Sequence, residues 1–470
     1  MKRDRKRRIE SFRFNDFDAI EKHLANMARK GWHIEKITPF YWQYKRIDPT
    51  ERHYTITYFA QASDFSPYPS SNQERFYDYC NECGYQLAVT WAQMQIFYTD
   101  SEDAIPIETD EALKLNSIHQ AMKKNFLPST VVLIVLAIFQ ILMQVSSIMR
   151  MPIMQLSNNV YLSVIFAWSI VAISGFISLI GYFKWWRASK KATELGGTCM
   201  PTKGHRNLNK VLLLLSIGVF LWMLMTLYED QYIWIGIASI GLITMVIFGV
   251  NYIKTKLKAV GVSRKTNMTV TVISAIVLSF IMMGLLTTFV FKLVDYHRAH
   301  QSTAVERTFS SPNGTKHTRY VHDDPMPLIV EQLKATEFDD YSYEARDNNS
   351  ILLRWQQYDQ RDYTFDPDVL TMYYDIIDVK YDWLFDYCFD YYLQQYVDDY
   401  AVEEGFKTNR YREIDASIWQ ADVAYQLYYS DEPSETFLFC KGNRIVKIGY
   451  DWMPTEAEMT FSAETLLRDD

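Results

Sequence analysis

The sequence predicts a multi-domain membrane protein: an N-terminal α+β domain, a five-helix transmembrane bundle and a C-terminal α+β domain with an antiparallel sheet. Three observations predict it. Between Phe126 and Val294 lie five apolar runs whose interiors carry no Asp, Glu, Lys or Arg, each long enough to cross about 30 Å of hydrocarbon as a helix. Residues 1–110 repeat one order of elements: strand, helix, strand, strand. The formal charge of −8 divides unevenly, with 34 acidic and 15 basic residues over 301–470 (net −19) against 22 and 33 before them (net +11). A basic membrane-proximal part thus precedes an acidic, solvated one.

The chain opens with Lys2, Arg3, Arg5, Lys6, Arg7 and Arg8, which read as a flexible charged tail able to meet anionic lipid headgroups. No apolar run behind a basic segment near Met1 reads as a cleavable signal, so the first span is expected to direct insertion and residues 1–125 to stay cytoplasmic. Glu10 to Phe14 alternates like a half-buried strand. Asn15 or Asp16 caps a helix over Ala19–Lys30, whose Ile20, Leu24 and Met27 share a face and which Gly31 stops. Trp32–Ile37 and Phe40–Ile47 follow as strands. The order then recurs: a strand at Tyr54–Phe59, a Ser- and Pro-rich loop over 63–71, a helix at Gln73–Cys83 stopped by Gly84, and strands at Tyr85–Thr90 and Gln93–Thr99. Superposing Gly31-Trp32 on Gly84-Tyr85 aligns the halves, which predicts a duplicated unit forming one sheet with both helices on one side. Cys80 and Cys83 make the chain's one CxxC spacing. At a helix C-terminus, with no second cysteine pair in the domain, they read as packing residues rather than redox or metal ligands.

Phe14, Asp16, Leu24, Met27, Ala28, Lys30, Gly31 and Trp32, followed by Tyr77, Gly84, Phe97 and Ile105-Pro106-Ile107-Glu108-Thr109-Asp110, resemble the family called domain of unknown function 2812. The resemblance is strongest over residues 10–110, and Tyr85 stands where Trp is expected. It implies an uncharacterised membrane protein of Gram-positive bacteria, often encoded beside PadR-like transcriptional regulators, and so a cytoplasmic regulatory protein as partner. It supplies no catalytic residue and no cofactor.

A polar helical linker at 111–125 leads to spans at 126–146, 160–183, 211–228, 232–252 and 268–294. The loops after the second and fourth spans hold twelve basic residues, from Lys184 to Lys210 and from Lys254 to Lys265, whereas the other two loops hold Arg150 alone. By the positive-inside rule the N-terminus is cytoplasmic and, after five crossings, the C-terminus is extracytoplasmic. Trp185, Trp186, Tyr228, Tyr232 and Tyr252 fall at span ends, as interfacial aromatics do. With no ionisable group mid-span, the bundle reads as an anchor before it reads as a pathway. Ser174 with Ser178, and Ala275 with Ser279, are candidate helix–helix contacts.

The acidic domain, 295–470, begins with a turn at Ser311-Pro312-Asn313-Gly314. A short helix at Pro325–Leu333, strands at Tyr341–Arg346, Ile351–Gln357 and Leu370–Val379, and a helix at Tyr381–Glu404 follow. A hairpin of Thr436–Cys440 and Ile445–Tyr450 turns about Lys441-Gly442-Asn443-Arg444, and a helix at Glu456–Arg468 closes the chain. Asp375, Asp378, Asp382, Asp386, Asp390, Asp398 and Asp399 lack the spacing of a Ca²⁺ loop and read as a solvated acidic face. Cys388 and Cys440, the two cysteines beyond the spans, are a candidate disulfide across a 51-residue interval.

No phosphate-binding glycine loop, HExxH or nucleophile elbow occurs in the sequence. The leading expectation is a non-enzymatic sensor, signalling or binding protein that couples an extracytoplasmic domain, with a ligand of its own, to the cytoplasmic module. It sits in the lipid bilayer and makes no direct nucleic-acid contact. The alternatives are a transport-associated or permease-like protein and an extracytoplasmic carboxylate-dependent hydrolase.

Overall fold

The computed structural model describes the chain except for residues 1–3, 11, 13, 15, 39–40, 102, 203–205, 230–231, 301–304, 311–315, 337, 339, 365, 367, 397–408 and 469–470, and except for the side chains at 206, 207, 209, 229, 297–300 and 310. Two compact units emerge. One comprises 1–141, 166–224 and 231–286; the other comprises 142–165, 225–230 and 287–470.

In the first unit β1 (Arg5–Arg8), α1 (Phe17–Arg29), β2 (Trp32–Ile37) and β3 (Trp42–Arg46) build an antiparallel sheet in the order β1-β3-β2. Then β4 (His53–Tyr58), α2 (Ser71–Glu82), β5 (Gln86–Trp91) and β6 (Met94–Thr99) build a second, in the order β4-β6-β5. The two are copies of one unit. Gly31 and Gly84 both take positive φ, +77° and +88°, and the register break at Ile34/Lys36 in β2 recurs at Leu87/Val89 in β5, at the same distance from its glycine. At Gly31 a Cβ would stand 2.9 Å from the Ile47 carbonyl oxygen, so only glycine fits.

Several expectations for this region are corrected. The basic segment is no loose tail, because Arg5 to Arg8 pair with Lys45 to Trp42 as an edge strand. Arg5 bonds Glu35 at 2.9 Å, while Lys6 and Arg7 lie over the Trp32 and Tyr41 rings. The described residues of the stretch from Glu10 to Phe14 form no strand, and Phe14 instead packs in the core. There are two sheets rather than one, and their helices do not share a side. Met94 and Ile96 of β6 join the core of α1, whereas Phe97, on the opposite face, packs with Cys80, Tyr85 and Ile107 beneath α2. The expected linker is part of this core too. In α3 (Glu111–Lys124) Leu115, Ile118, Ala121 and Met122 are buried, the last three among residues of both sheets.

From Phe126 to His300 the described residues form six helices joined by short non-helical segments: α4 (Phe126–Arg150), α5 (Pro152–Leu156), α6 (Asn159–Glu194), α7 (Arg206–Glu229), α8 (Ile233–Ala259) and α9 (Arg264–His300). Five segments, α3 running into α4 and then α6, α7, α8 and α9, are long and apolar enough to cross a membrane. The helices outrun the predicted spans, since the basic residues after Phe183 still favour helix. Of the small-residue candidates, Ser178 donates to the Ser174 carbonyl within its own helix at 2.7 Å, Ala275 is half-buried and Ser279 is exposed. A close approach falls at Gly175, where a Cβ would meet Ile134 Cγ1 of α4 at 2.5 Å.

In the second unit β7 (Val305–Ser310) and β8 (Lys316–Val321) form a separate hairpin, whose predicted turn lies outside the described residues. The remaining elements are α10 (Val330–Leu333), β9 (Ser342–Asn349), β10 (Leu353–Arg361), β11 (Met372–Val379), α11 (Asp382–Gln394), β12 (Arg410–Ile414), β13 (Val423–Tyr429), β14 (Glu432–Lys441), β15 (Arg444–Tyr450) and α12 (Glu456–Leu466). Seven strands make one antiparallel sheet in the order β12-β13-β14-β15-β11-β10-β9. One face packs Tyr374, Ile376, Phe437, Phe439 and Ile448 against Trp419 and against Ala463 and Leu466 of α12; α11 covers the other. Of the expected helix from Tyr381 to Glu404, the part beyond Tyr396 lies outside the described residues.

Candidate functional site

In the first unit the N-terminal module is fastened to the segment that follows α6. The Asp18 carboxylate on α1 accepts from the Thr202 N–H (2.7 Å) and hydroxyl (2.9 Å). Glu111, in the first turn of α3, accepts from the Cys199 N–H at 2.8 Å. Aromatic contacts extend the joint: Phe17 meets Trp185 edge-on, His119 stacks on Trp186 at 4.6 Å, and His119 Nδ1 shares a 2.7 Å hydrogen bond with the Tyr182 hydroxyl. The Ser- and Pro-rich loop reaches the start of α9, where Asn267 donates to the Phe65 carbonyl at 3.0 Å.

This joint is charged and partly dry. Burial pushes the Glu21 carboxyl up to about 7, helped by Asp18 and Glu108 and opposed by Lys114, although its Oε1 accepts from the Ile56 N–H at 2.7 Å. Burial likewise pushes Glu108 up to about 7, with Lys114 opposing and Glu111 assisting. A carboxyl raised in the folded state is protonated there before the unfolded chain takes up its proton, so stability rises as pH falls from about 7 towards 4.5 and is lowest above 7. Glu21→Gln is therefore expected to stabilise the protein at pH 8 by about 2 kcal/mol and to change little at pH 4. Thermal unfolding of the detergent-solubilised protein at the two pH values checks this.

In the second unit the sheet domain is fastened to the corner between α4 and α6. Ser350 Oγ donates to the Leu156 carbonyl, Asn159 Nδ2 donates to the Asn349 carbonyl (3.1 Å), Asn159 Oδ1 accepts from the Ile351 N–H (3.0 Å), and the Tyr387 hydroxyl donates to the Ile148 carbonyl (3.3 Å).

The expected acidic face is corrected at Asp375, which is only 9 % exposed. It lies beneath α11, directly opposite Lys447 on β15, and accepts from Trp355 Nε1 and the Tyr392 hydroxyl, both at 3.3 Å. Burial holds its carboxyl above the usual range, against the pull of Lys447. The Lys447 ammonium donates to the Tyr396 hydroxyl (2.9 Å) and Gln395 (3.3 Å) and lies against the Tyr373, Tyr392 and Tyr396 rings. Asp378 pairs with Arg444 and Asp382 accepts from Asn443. Asp386 and Asp390 are exposed, while Asp398 and Asp399 lie outside the described residues. Cys388 and Cys440 are both buried and both free. Burial pushes the Cys388 thiol up to about 12 and Cys440 to about 11. Cys80 is buried and pushed up to about 12 by that burial, which suits packing rather than nucleophilic chemistry. A surface depression of about 40 Å³ is lined by Glu344, Arg346, Gln357, Asp359 and Arg361. Its carboxylates are paired with its arginines, Glu344 with Arg346 and Asp359 with Arg361.

Residues 16–130 match the model of a family described as protein of unknown function (DUF2812). The match begins at the cap of α1 and runs through α3 into the start of α4, so it covers the module from α1 onward, without β1, together with the helix that completes its core. No curated protein and no solved structure matches the chain.

Proposed function

We propose that this chain is a non-enzymatic multi-pass membrane protein in which an extracytoplasmic binding domain, 295–470, is coupled through the spans to the cytoplasmic DUF2812-like module, whose partner is a cytoplasmic regulatory protein. The observation that carries the reading is α6. Asn159 at its start bonds the loop Asn349–Ile351, and the segment after its last turn is held by Asp18 and Glu111. A ligand that altered the seating of the outer domain on this helix would bias how the inner module is held at the other end, provided the ligand binds one arrangement better than the other. Twelve basic residues in two of the loops support the orientation.

The test is Asn159→Ala combined with Ser350→Ala in the full-length protein in membranes, read as maleimide labelling of Cys199, whose N–H is held by Glu111. Labelling of Cys199 is expected to speed up severalfold while Cys83, half-buried at the end of α2, keeps its rate. An unchanged rate at Cys199 removes the coupling.

A further inference from the structure

In the second unit the sheet domain presents an apolar edge where it is seated on the ends of α4 and α6. Lys380 ties the two parts of this edge together, donating to Asn349 Oδ1 at 2.8 Å and to the Ser350 carbonyl. The loop 349–351 is bonded to Leu156 and Asn159, and α11 to Ile148. From this edge Trp383 projects 72 % exposed and Ile351 46 % exposed, and the Tyr381 ring lies 6.2 Å from that of Trp383. The same domain buries Trp419 completely. An indole left in water forgoes the burial its large apolar surface favours, and Trp383 stands one turn before Tyr387, which bonds Ile148 near the end of α4, the neighbourhood in which interfacial aromatics are found.

We propose that this edge seats the domain on the lipid headgroup layer of the leaflet in which α4 ends and α6 begins, with Trp383 and Ile351 entering the interface. Asp382, Asp386 and Asp390, exposed along the same helix, set the depth: they keep α11 at headgroup level, because carboxylates are costly in hydrocarbon. The inference rests on α4 and α6 crossing the membrane, which is part of the function proposed above.

The experiment places a nitroxide on W383C and on I351C, one at a time, in the full-length protein with Cys83 and Cys199 replaced by Ser, reconstituted into phosphatidylcholine vesicles. Collisions with lipid-soluble oxygen and with a water-soluble nickel chelate are compared with two controls: E456C, exposed at the start of α12 over the opposite face of the sheet, and V135C, exposed on α4. At 383 and 351 nickel collisions are expected to be severalfold fewer, and oxygen collisions more frequent, than at 456. Values matching 456 at either position overturn the proposal. So does protection from both reagents, which signals burial against protein. If V135C itself collides freely with nickel, the spanning of α4 fails and the larger reading falls with it.

Discussion

Asp375→Leu is expected to destabilise the C-terminal domain by about 1–3 kcal/mol, because Trp355 Nε1 and the Tyr392 hydroxyl lose their acceptor. The substitution leaves Lys447, only 6 % exposed, without the carboxylate that faces it across the β11–β15 ladder. Its remaining partners are the Tyr396 hydroxyl, the Gln395 side-chain Oε1 and three tyrosine rings, all formally neutral. A buried ammonium with neutral partners costs more than the pair it came from, whereas removing both charges can be close to neutral. Asp375→Leu with Lys447→Met should therefore recover most of the loss. Urea unfolding of the two variants, followed by a signal from the sheet domain, measures the difference; a double variant no more stable than the single would mean that the two charges are not coupled.

The second large effect is expected among the long apolar helices. Gly175→Val places side-chain atoms where Ile134 of α4 already stands, since even a Cβ at this position would lie 2.5 Å from Cγ1 and 3.0 Å from Cδ1. Within a lipid bilayer helices are held by close packing rather than by hydrophobic burial, so α4 and α6 must separate. The cost is about 1–3 kcal/mol, typical of an overpacked core. Ile134→Ala removes the obstructing atoms and should rescue the Gly175→Val protein, although alone it leaves a void and destabilises. Thermal unfolding in detergent of the two single variants and the pair gives the coupling.

What could be read from the sequence divides along physical lines. The face formed by Ile20, Leu24 and Met27, the glycines that stop α1 and α2, and the charge-free apolar runs are local signals, and each appears in the structure where its spacing puts it. The strand Arg5–Arg8 carries no such signal. Four consecutive basic residues show no alternation, and they are held by pairing with β3 and by the Trp32, Tyr41 and Glu35 side chains. Asp375 looked like its acidic neighbours because a strand's own sequence does not say which side another element will cover. The placing of both helices on one side failed at β6, where Gln95 and Phe97 are as buried as Met94 and Ile96, so the strand has two packed faces and α2 takes the second. The joints on either side of α6 were the least legible. Asp18 meets Thr202 across 184 positions, Glu111 meets Cys199 across 88, and Ser350 meets Leu156 across 194, and none of these residues forms a motif within its own segment.

The central claim is that the two water-soluble domains lie on opposite sides of one membrane. Glu74→Cys on α2 and Glu456→Cys on α12, both exposed positions, test it most directly when each is introduced singly and treated with a membrane-impermeant maleimide in intact cells and again after permeabilisation. The account predicts that the cysteine at 456 labels in intact cells and that the one at 74 labels only after permeabilisation. Labelling of both in intact cells, or of neither, would put the domains on one side, and the reverse pattern would invert the orientation drawn from the loop charges.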